Sequence, residues 1–335
     1  MPERHKELFH YTSITALKGI LATNSLWATK TTHLNDQSEM ELIWPSMRKQ
    51  VFEEYKAEIL DYVQRFPEVK GTFAELGGVD QIAQEEASKW VGEMHLKLVG
   101  DDETPSIAPQ YVVSFATHSS DSLRDEYHRN NGMLSQWRAY GGNEPVAIVF
   151  DAAGFHELLL EEDARFLYWP LLMAVVTYLE RDLILEEYFP DLFDSLRTCA
   201  RNFIEPRDGD FLQDVLPKAY EQASVACARL KHYGFHEEQE CRIVAGATTG
   251  PLRERLSAEG TETQRSVKEV HHRCGRFGPI PYVALFDELG QDLPINRIIV
   301  GPSRDQAAHY EAVRRLVMNR GIPVQKSETP YVGSA

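Results

Sequence analysis

The chain has no long apolar run. No stretch approaches the roughly 18 residues that a membrane-spanning helix needs, and the longest, Leu167 to Val176, is interrupted by Pro170. The first residues, Met-Pro-Glu-Arg-His-Lys-Glu, are not followed by an apolar segment and so do not read as a secretory signal. Cysteine is scarce. The four in 335 residues, Cys199, Cys227, Cys241 and Cys274, include no C-x-x-C pair. That excludes a disulfide scaffold and suits a reducing compartment, so a cytoplasmic location without membrane contact is expected. Positive charge is also short. Thirty-five Lys and Arg against 51 Asp and Glu leave a net charge of -16, which argues against strong non-specific binding to nucleic acid while leaving room for a small basic pocket. His271, His272 and Cys274 are close in sequence, but no second ligand pair with metal spacing stands near them, and no metal is expected. Internal repeats and low-complexity linkers are missing as well.

What remains is a chain with 43% hydrophobic and 10% aromatic residues, enough for a substantial core. Strand patterns recur from end to end: Leu8–Tyr11, Ser25–Thr29, Gln110–Ala116, Pro145–Asp151, Leu171–Leu179, Gln239–Ala245, Tyr282–Phe286, Arg297–Val300 and Pro323–Lys326. Between them the spacing predicts helices. Ile14, Leu17, Ile20 and Leu21 recur at helical intervals, Glu41–Gln64 and Gln81–Leu98 are charge-rich helices, and Gly132–Tyr140 is a short one. Capping-box patterns at Asp36/Glu39, Asp210/Gln213 and Ser303/Gln306 mark three helix starts. The last two helices run to about Leu230 and Arg320. Thr117–Asn131 and Thr248–Gly275 read as loops. The expectation is a single α+β domain over residues 1–335, with helical insertions around 40–105 and 180–232.

Three segments combine polar and aromatic residues beyond what a core requires. In Phe9-His10-Tyr11-Thr12-Ser13, strand alternation puts His10 and Thr12 on one face and Tyr11 on the other. In Ser135-Gln136-Trp137-Arg138-Ala139-Tyr140, Gln136 and Tyr140 share a helix face, with Trp137 an anchor. In Glu237-Glu238-Gln239-Glu240-Cys241-Arg242, the residues Glu238, Glu240 and Arg242 fall at period two on one strand face, with Cys241 and Ile243 toward the core. A row of this kind either lines a cleft or is a solvated face with local ion pairs. Asn35, Asp36 and Glu39 form a further polar group. It would suit a hydrolase, although a helix cap already accounts for Asp36 and Glu39.

The ordered set H-Y-T-S, Leu26-Trp27-Ala28-Thr29, Leu34-Asn35-Asp36-x-x-Glu39, V-S-F, S-Q-W-R-A-Y, V-A-I-V-F-D, E-x-E-C-R-I-V and I-I-V-G-P-S resembles a large bacterial family catalogued as a domain of unknown function. That resemblance spans roughly Leu8 to Tyr331. The opening stretch also resembles the start of bacterial toxins that ADP-ribosylate DNA, except that Asn24 and Ser25 stand where those toxins usually carry glycine. The resemblance to the ADP-ribosyltransferase superfamily implies a split, strongly bent β core with NAD, as substrate, in the cleft between its halves. It also implies roles. His10, flanked by Tyr11 and Thr12, would contact the adenosine ribose. Tyr140 would stack on nicotinamide, with Tyr11, Trp27 and Trp137 as equal alternatives. Glu240, preceded by Glu238, would contact the nicotinamide ribose. Arg138 and Arg242 are the nearest candidates for the pyrophosphate, since a guanidinium grips phosphate oxygens bidentately; Arg242 is equally placed to pair with Glu240 or Glu238. Two readings follow: a mono-ADP-ribosyltransferase-like protein, as a toxin or antiphage effector, or a non-catalytic nucleotide-sensing module. The acceptor is not specified by any of these residues.

Overall fold

The computed structural model describes residues 5–34, 39–101, 103–118, 122–180, 182–206, 211–247, 265–275 and 278–330. The strands are β1 (Glu7–Ser13), β2 (Leu26–Lys30), β3 (Gln110–Ala116), β4 (Pro145–Asp151), β5 (Tyr168–Val175), β6 (Thr177–Leu179), β7 (Leu230–His232), β8 (Glu240–Ala247), β9 (Val270–Gly275), β10 (Gly278–Leu285), β11 (Ile295–Val300) and β12 (Val324–Lys326). Among the described residues, ten of them form one mixed sheet, while β6 and β7 pair separately in parallel.

The sheet forks at β3. One edge of β3 pairs with β8 along its length, from Gln110 opposite Gly246 to Ala116 opposite Glu240, and β5 continues that side. The other edge is shared by two strands. Ala116 faces Phe9 of β1, whereas Val112 and Tyr111 face Thr29 and Lys30 of β2. From β1 the sheet runs through β4, β11 and β12; from β2 it runs through β10 and β9. The two arms leave a gap opposite Val113, Ser114 and Phe115.

Helix α1 (Ile14–Thr23) follows β1 directly. Its N-cap is Ser13, whose hydroxyl accepts from the Ala16 amide at 3.2 Å. Its C-cap is Asn24, which takes the left-handed conformation that asparagine tolerates. Asn24 thus occupies the turn otherwise suited to glycine, and its side chain also accepts from the Leu293 amide at 3.1 Å. With α7 (Ala152–Arg165) and α11 (Gln306–Val317), α1 covers a core containing Leu17, Phe115, Ile148, Phe155, Ile243 and Ile298.

A second core lies between helices. Helices α2 (Trp44–Arg65), α3 (Lys70–Glu75) and α4 (Val79–Leu98) come from the segment expected as the first insertion. The second supplies α8 (Leu185–Tyr188), α9 (Pro190–Ile204) and α10 (Phe211–Arg229). Met47, Val51 and Ile59 of α2 meet Ala87 and Val91 of α4, Leu196 and Ala200 of α9, and Ala219 and Ala223 of α10. Two stretches far apart in sequence therefore build one helical body. Neither could bury its apolar stripe alone.

Several details differ from the sequence pattern. Thr117–Asn131, expected as a loop, contains α5 (Leu123–Asn131), which a polar sequence disguises; Ser122 caps it by accepting from the Asp125 amide at 3.1 Å. Acidic Asp125 and Glu126 in its first turn and His128 and Arg129 in its last suit the helix dipole. Thr248–Gly275 ends in β9, held by pairing with β10, while 248–264 lie outside the described residues. Leu171–Leu179 is two strands, because β5 pairs with β8 and β6 turns to β7. The Ser303/Gln306 box does not form: Asp305 occupies the N-cap position, the Ser303 hydroxyl pairs with His309 Nδ1 at 3.0 Å, and the Gln306 amide donates to Ser327 O at 2.8 Å. Asp36 and Asp210, the leading residues of the other two boxes, lie outside the described residues. The architecture is mixed α/β with a mixed sheet.

Candidate functional site

The gap between the arms of the sheet opens into a cavity of about 560 Å³, within the range of small-molecule sites. Its walls come from β1, α1, β2 and β3, from α6 (Leu134–Tyr140), and from the segment leading into β8. His10, Thr12, Tyr140, Glu238 and Glu240 all line it, so residues far apart in sequence meet in one cavity.

His10 Nδ1 donates to the Ser114 carbonyl at 3.1 Å. Burial lowers the imidazole below its ordinary range. The positive Arg273 pushes the same way, and the Ser114 carbonyl opposes them. The ring is therefore neutral near pH 7, with Nε2 as the remaining acceptor.

Glu240 is 3% exposed. Its Oε1 accepts from Arg242 Nε at 2.6 Å, and its Oε2 accepts from Arg242 Nη2 and Lys231 Nζ, each at 3.0 Å. Its own amide donates to the Tyr178 hydroxyl at 2.8 Å. Burial alone would raise this carboxyl; the Arg242 guanidinium, then Lys231 and the Ser114 hydroxyl, outweigh it and hold the group at about 2. Ser114 thus connects the two candidate groups, its carbonyl bound to His10 and its hydroxyl to Glu240.

Arg242 does not face the cavity. Its guanidinium donates to Glu240 twice, to Glu39 Oε1 at 3.0 Å and to the Ala228 carbonyl at 2.9 Å, while Nη1 lies 2.7 Å from Glu39 Oε2. These contacts leave nothing for a phosphate and correct the expected pyrophosphate grip. The alternative of a solvated strand face is excluded as well, because every residue of β8 is buried. Lys231 approaches Glu238 at 2.8 Å, Glu240 at 3.0 Å and Glu39 at 3.4 Å. Burial opposes its charge, but the three carboxylates hold its pKa above the usual lysine range. Three acids against two bases leave the group one negative charge in excess. Glu238 is the half-buried member, and burial raises its pKa while Lys231 pulls it back.

The aromatic candidates separate cleanly. Tyr140, at the exposed end of α6, and Trp27, stacked on Tyr282 with ring centroids 4.5 Å apart, present rings to the cavity. Tyr11 and Trp137 pack edge-to-face at 4.7 Å behind β1, and the Tyr11 hydroxyl accepts from the Met133 amide at 2.9 Å. Trp137 is absent from the cavity wall, whereas Tyr11 contributes to it. Arg138 is exposed and absent from the cavity wall, since Gln136 and Tyr140 take the facing side of α6.

Two cavity residues escaped the sequence reading. Arg273 of β9 lines the cavity, and Nη2 donates to Thr29 Oγ1 at 3.0 Å. Among the described residues it has no carboxylate partner, so its charge is available to an anion. It lay in a segment read as loop, although the alternation His271, Arg273 on one face and His272, Cys274 on the other was a strand signal. That alternation also prevents His271, His272 and Cys274 from converging on a metal. The second is Ser114, a small polar residue inside an apolar strand pattern. Of the proposed hydrolase group, Asn35 and Asp36 lie outside the described residues, and Glu39 is committed to Arg242 and Lys231.

A family model described as a protein of unknown function (DUF2971) matches residues 136–243. This interval runs from Gln136 through Tyr140, Lys231, Glu238 and Glu240 to the residue after Arg242, one wall of the cavity. No curated protein and no solved structure matches the chain.

Proposed function

We propose that the chain is an NAD-dependent mono-ADP-ribosyltransferase-like protein, acting as a bacterial toxin or antiphage effector. The observation that carries this reading is the meeting of His10 with Glu238 and Glu240 in one cavity at the fork of the sheet. NAD would lie across the gap, its adenosine ribose at His10 and Thr12, its pyrophosphate at Arg273 in place of Arg138 or Arg242, and its nicotinamide against Tyr140 or Trp27. In the transfer, the bond between ribose C1′ and the nicotinamide nitrogen breaks and nicotinamide leaves with the bonding pair. An acceptor lone pair then bonds to C1′ and the acceptor releases a proton. Positive charge develops on the ribose between these events, and the fixed anion of Glu240 stabilises it without reorganising. Glu238, with its raised pKa, is suited to take the acceptor's proton.

The test is nicotinamide release from labelled NAD by purified protein in the presence of mixed protein and nucleic-acid acceptors. Turnover is expected, with Glu238→Gln or Glu240→Gln reducing it by about 10²–10³ while His10→Ala weakens NAD binding. The absence of both nicotinamide release and NAD binding by calorimetry would overturn the proposal. One feature favours the second reading, a nucleotide-sensing module: both oxygens of Glu240 are already held by Arg242 and Lys231. NAD binding without nicotinamide release would select it.

A further inference from the structure

Next to the Tyr11 hydroxyl, three side chains with metal-ligand chemistry converge. His118 follows the end of β3, and Asp125 and His128 sit three residues apart on one face of α5. One ligand atom from each lies within 4.8 Å of the other two. The site is interior: His118 is 3% and Asp125 4% exposed. The Nδ1 atoms of both His118 and His128 are buried without a hydrogen-bond partner. Orphaned buried polar atoms are rare and call for an explanation.

The surroundings orient these side chains while leaving the two Nδ1 atoms without partners. His118 Nε2 lies 3.3 Å from the Tyr11 hydroxyl, whose oxygen already accepts the Met133 amide. With Nε2–H donating to that oxygen, the His118 Nδ1 lone pair is left for a ligand role. Metal-bound histidines are oriented by such an outer hydrogen bond. We propose that His118, Asp125 and His128 form a site for a divalent first-row transition-metal ion, with Zn²⁺ as its principal occupant. Two imidazoles and a carboxylate are the donor set that such ions take, leaving one position for water. Bonds of about 2.0–2.1 Å place tetrahedral ligands about 3.3 Å apart, so side-chain rotations of about 1 Å complete the sphere. This replaces the expectation from sequence that the chain binds no metal. The spacing was hidden because His118 and His128 fall in a stretch read as loop.

The ion would tie α5 to the end of β3. The neighbouring Thr117 holds the Gln239 carbonyl through both its amide and its hydroxyl at 2.9 Å. Gln239 separates Glu238 from Glu240, so the metal would steady the segment carrying both carboxylates while staying outside the cavity itself.

The experiment titrates chelator-stripped, full-length protein with Co²⁺ and Zn²⁺, reading the Co²⁺ visible spectrum and calorimetric stoichiometry. A parallel arm titrates Fe²⁺ under anaerobic conditions. About one equivalent is expected, with Zn²⁺ displacing Co²⁺. His128→Ala and, separately, Asp125→Asn should weaken binding by more than about tenfold, and Tyr11→Phe by about tenfold, with circular dichroism unchanged. His271→Ala/His272→Ala, on exposed or half-exposed β9 positions, should change nothing. Absence of binding to the wild-type protein overturns the proposal, as does undiminished binding by both ligand variants. Tighter binding of Fe²⁺ than Zn²⁺ would overturn the choice of ion. Since the readout is metal binding, the outcome does not depend on whether NAD is turned over.

Discussion

At the scale of single residues, Glu240 and Arg242 dominate. A buried ion pair that loses one member leaves an uncompensated charge, which costs about 3–5 kcal/mol. Arg242→Met is therefore expected to lower unfolding free energy by about that much in a urea titration. By contrast Arg65, 42% exposed in its side chain and bonded bidentately to Glu205, should give a change below about 1 kcal/mol when replaced by alanine. The pH dependence has a definite sign. The folded-state pKa of Glu240, about 2, lies below its ordinary 4.5, so its contribution is complete above about pH 4.5 and is lost as pH falls toward 2; the size is about 3 kcal/mol. His10 is also lowered on folding, so its contribution is complete above about pH 6.5 and declines below that. Glu238, raised by burial, acts in the opposite sense, stabilising at low pH and losing this effect as pH rises. The urea midpoint is expected to fall between pH 7 and pH 3, and His10→Gln should flatten the upper part of that decline. A midpoint that climbs on acidification would contradict this assignment. Much of the residue-level picture was readable. That His10, Glu238 and Glu240 share one cavity was anticipated from the order of their motifs. Lys231, Ser114 and Arg273 were not, because their importance comes from neighbours supplied by distant segments.

At the scale of elements, the strands were the most readable feature, since alternation and β-branched runs mark β3 and β4 at their actual bounds. Helix α5 was hidden by its lack of an apolar stripe, and β9 by its half-exposed alternation. All four residues of the H-Y-T-S motif line the cavity, and Ser13 is in addition the cap of α1. Ser13→Ala should cost about 1 kcal/mol, and Ser13→Asp should retain most of that stability. Chemical denaturation of the two variants side by side distinguishes a capping role from a ligand contact. On β8, Gly246 permits the close approach of β5, because an added Cβ would stand 1.8 Å from the Trp169 carbonyl oxygen. Overpacking against backbone cannot be relieved by a rotamer change, so Gly246→Ala is expected to destabilise by about 3 kcal/mol. An unchanged melting temperature in that variant would show that the two strands can separate freely.

At the scale of the whole molecule, the sheet and the helical body are joined at the carboxylate cluster. Glu39 opens the first inserted segment, and Ala228 and Lys231 close the second; all three reach Arg242 or Glu240. The helices were foreseeable from their periodicity, but their association was not, since contact between segments more than a hundred residues apart leaves no local signature. Truncating Met47, fully buried among these helices, to alanine should cost about 2–5 kcal/mol, measured by urea denaturation. Among the described residues no helix is long and apolar enough to cross a membrane.

The fork in the sheet has a mechanical consequence. The ladders of the two arms meet only at β3, so their mutual angle rests on that strand and on the apolar core both arms share. A molecule lodged between them would act as a wedge, setting that angle and stiffening both arms together. Amide exchange in β4 and β10, on opposite arms, should then slow in concert when the space is filled.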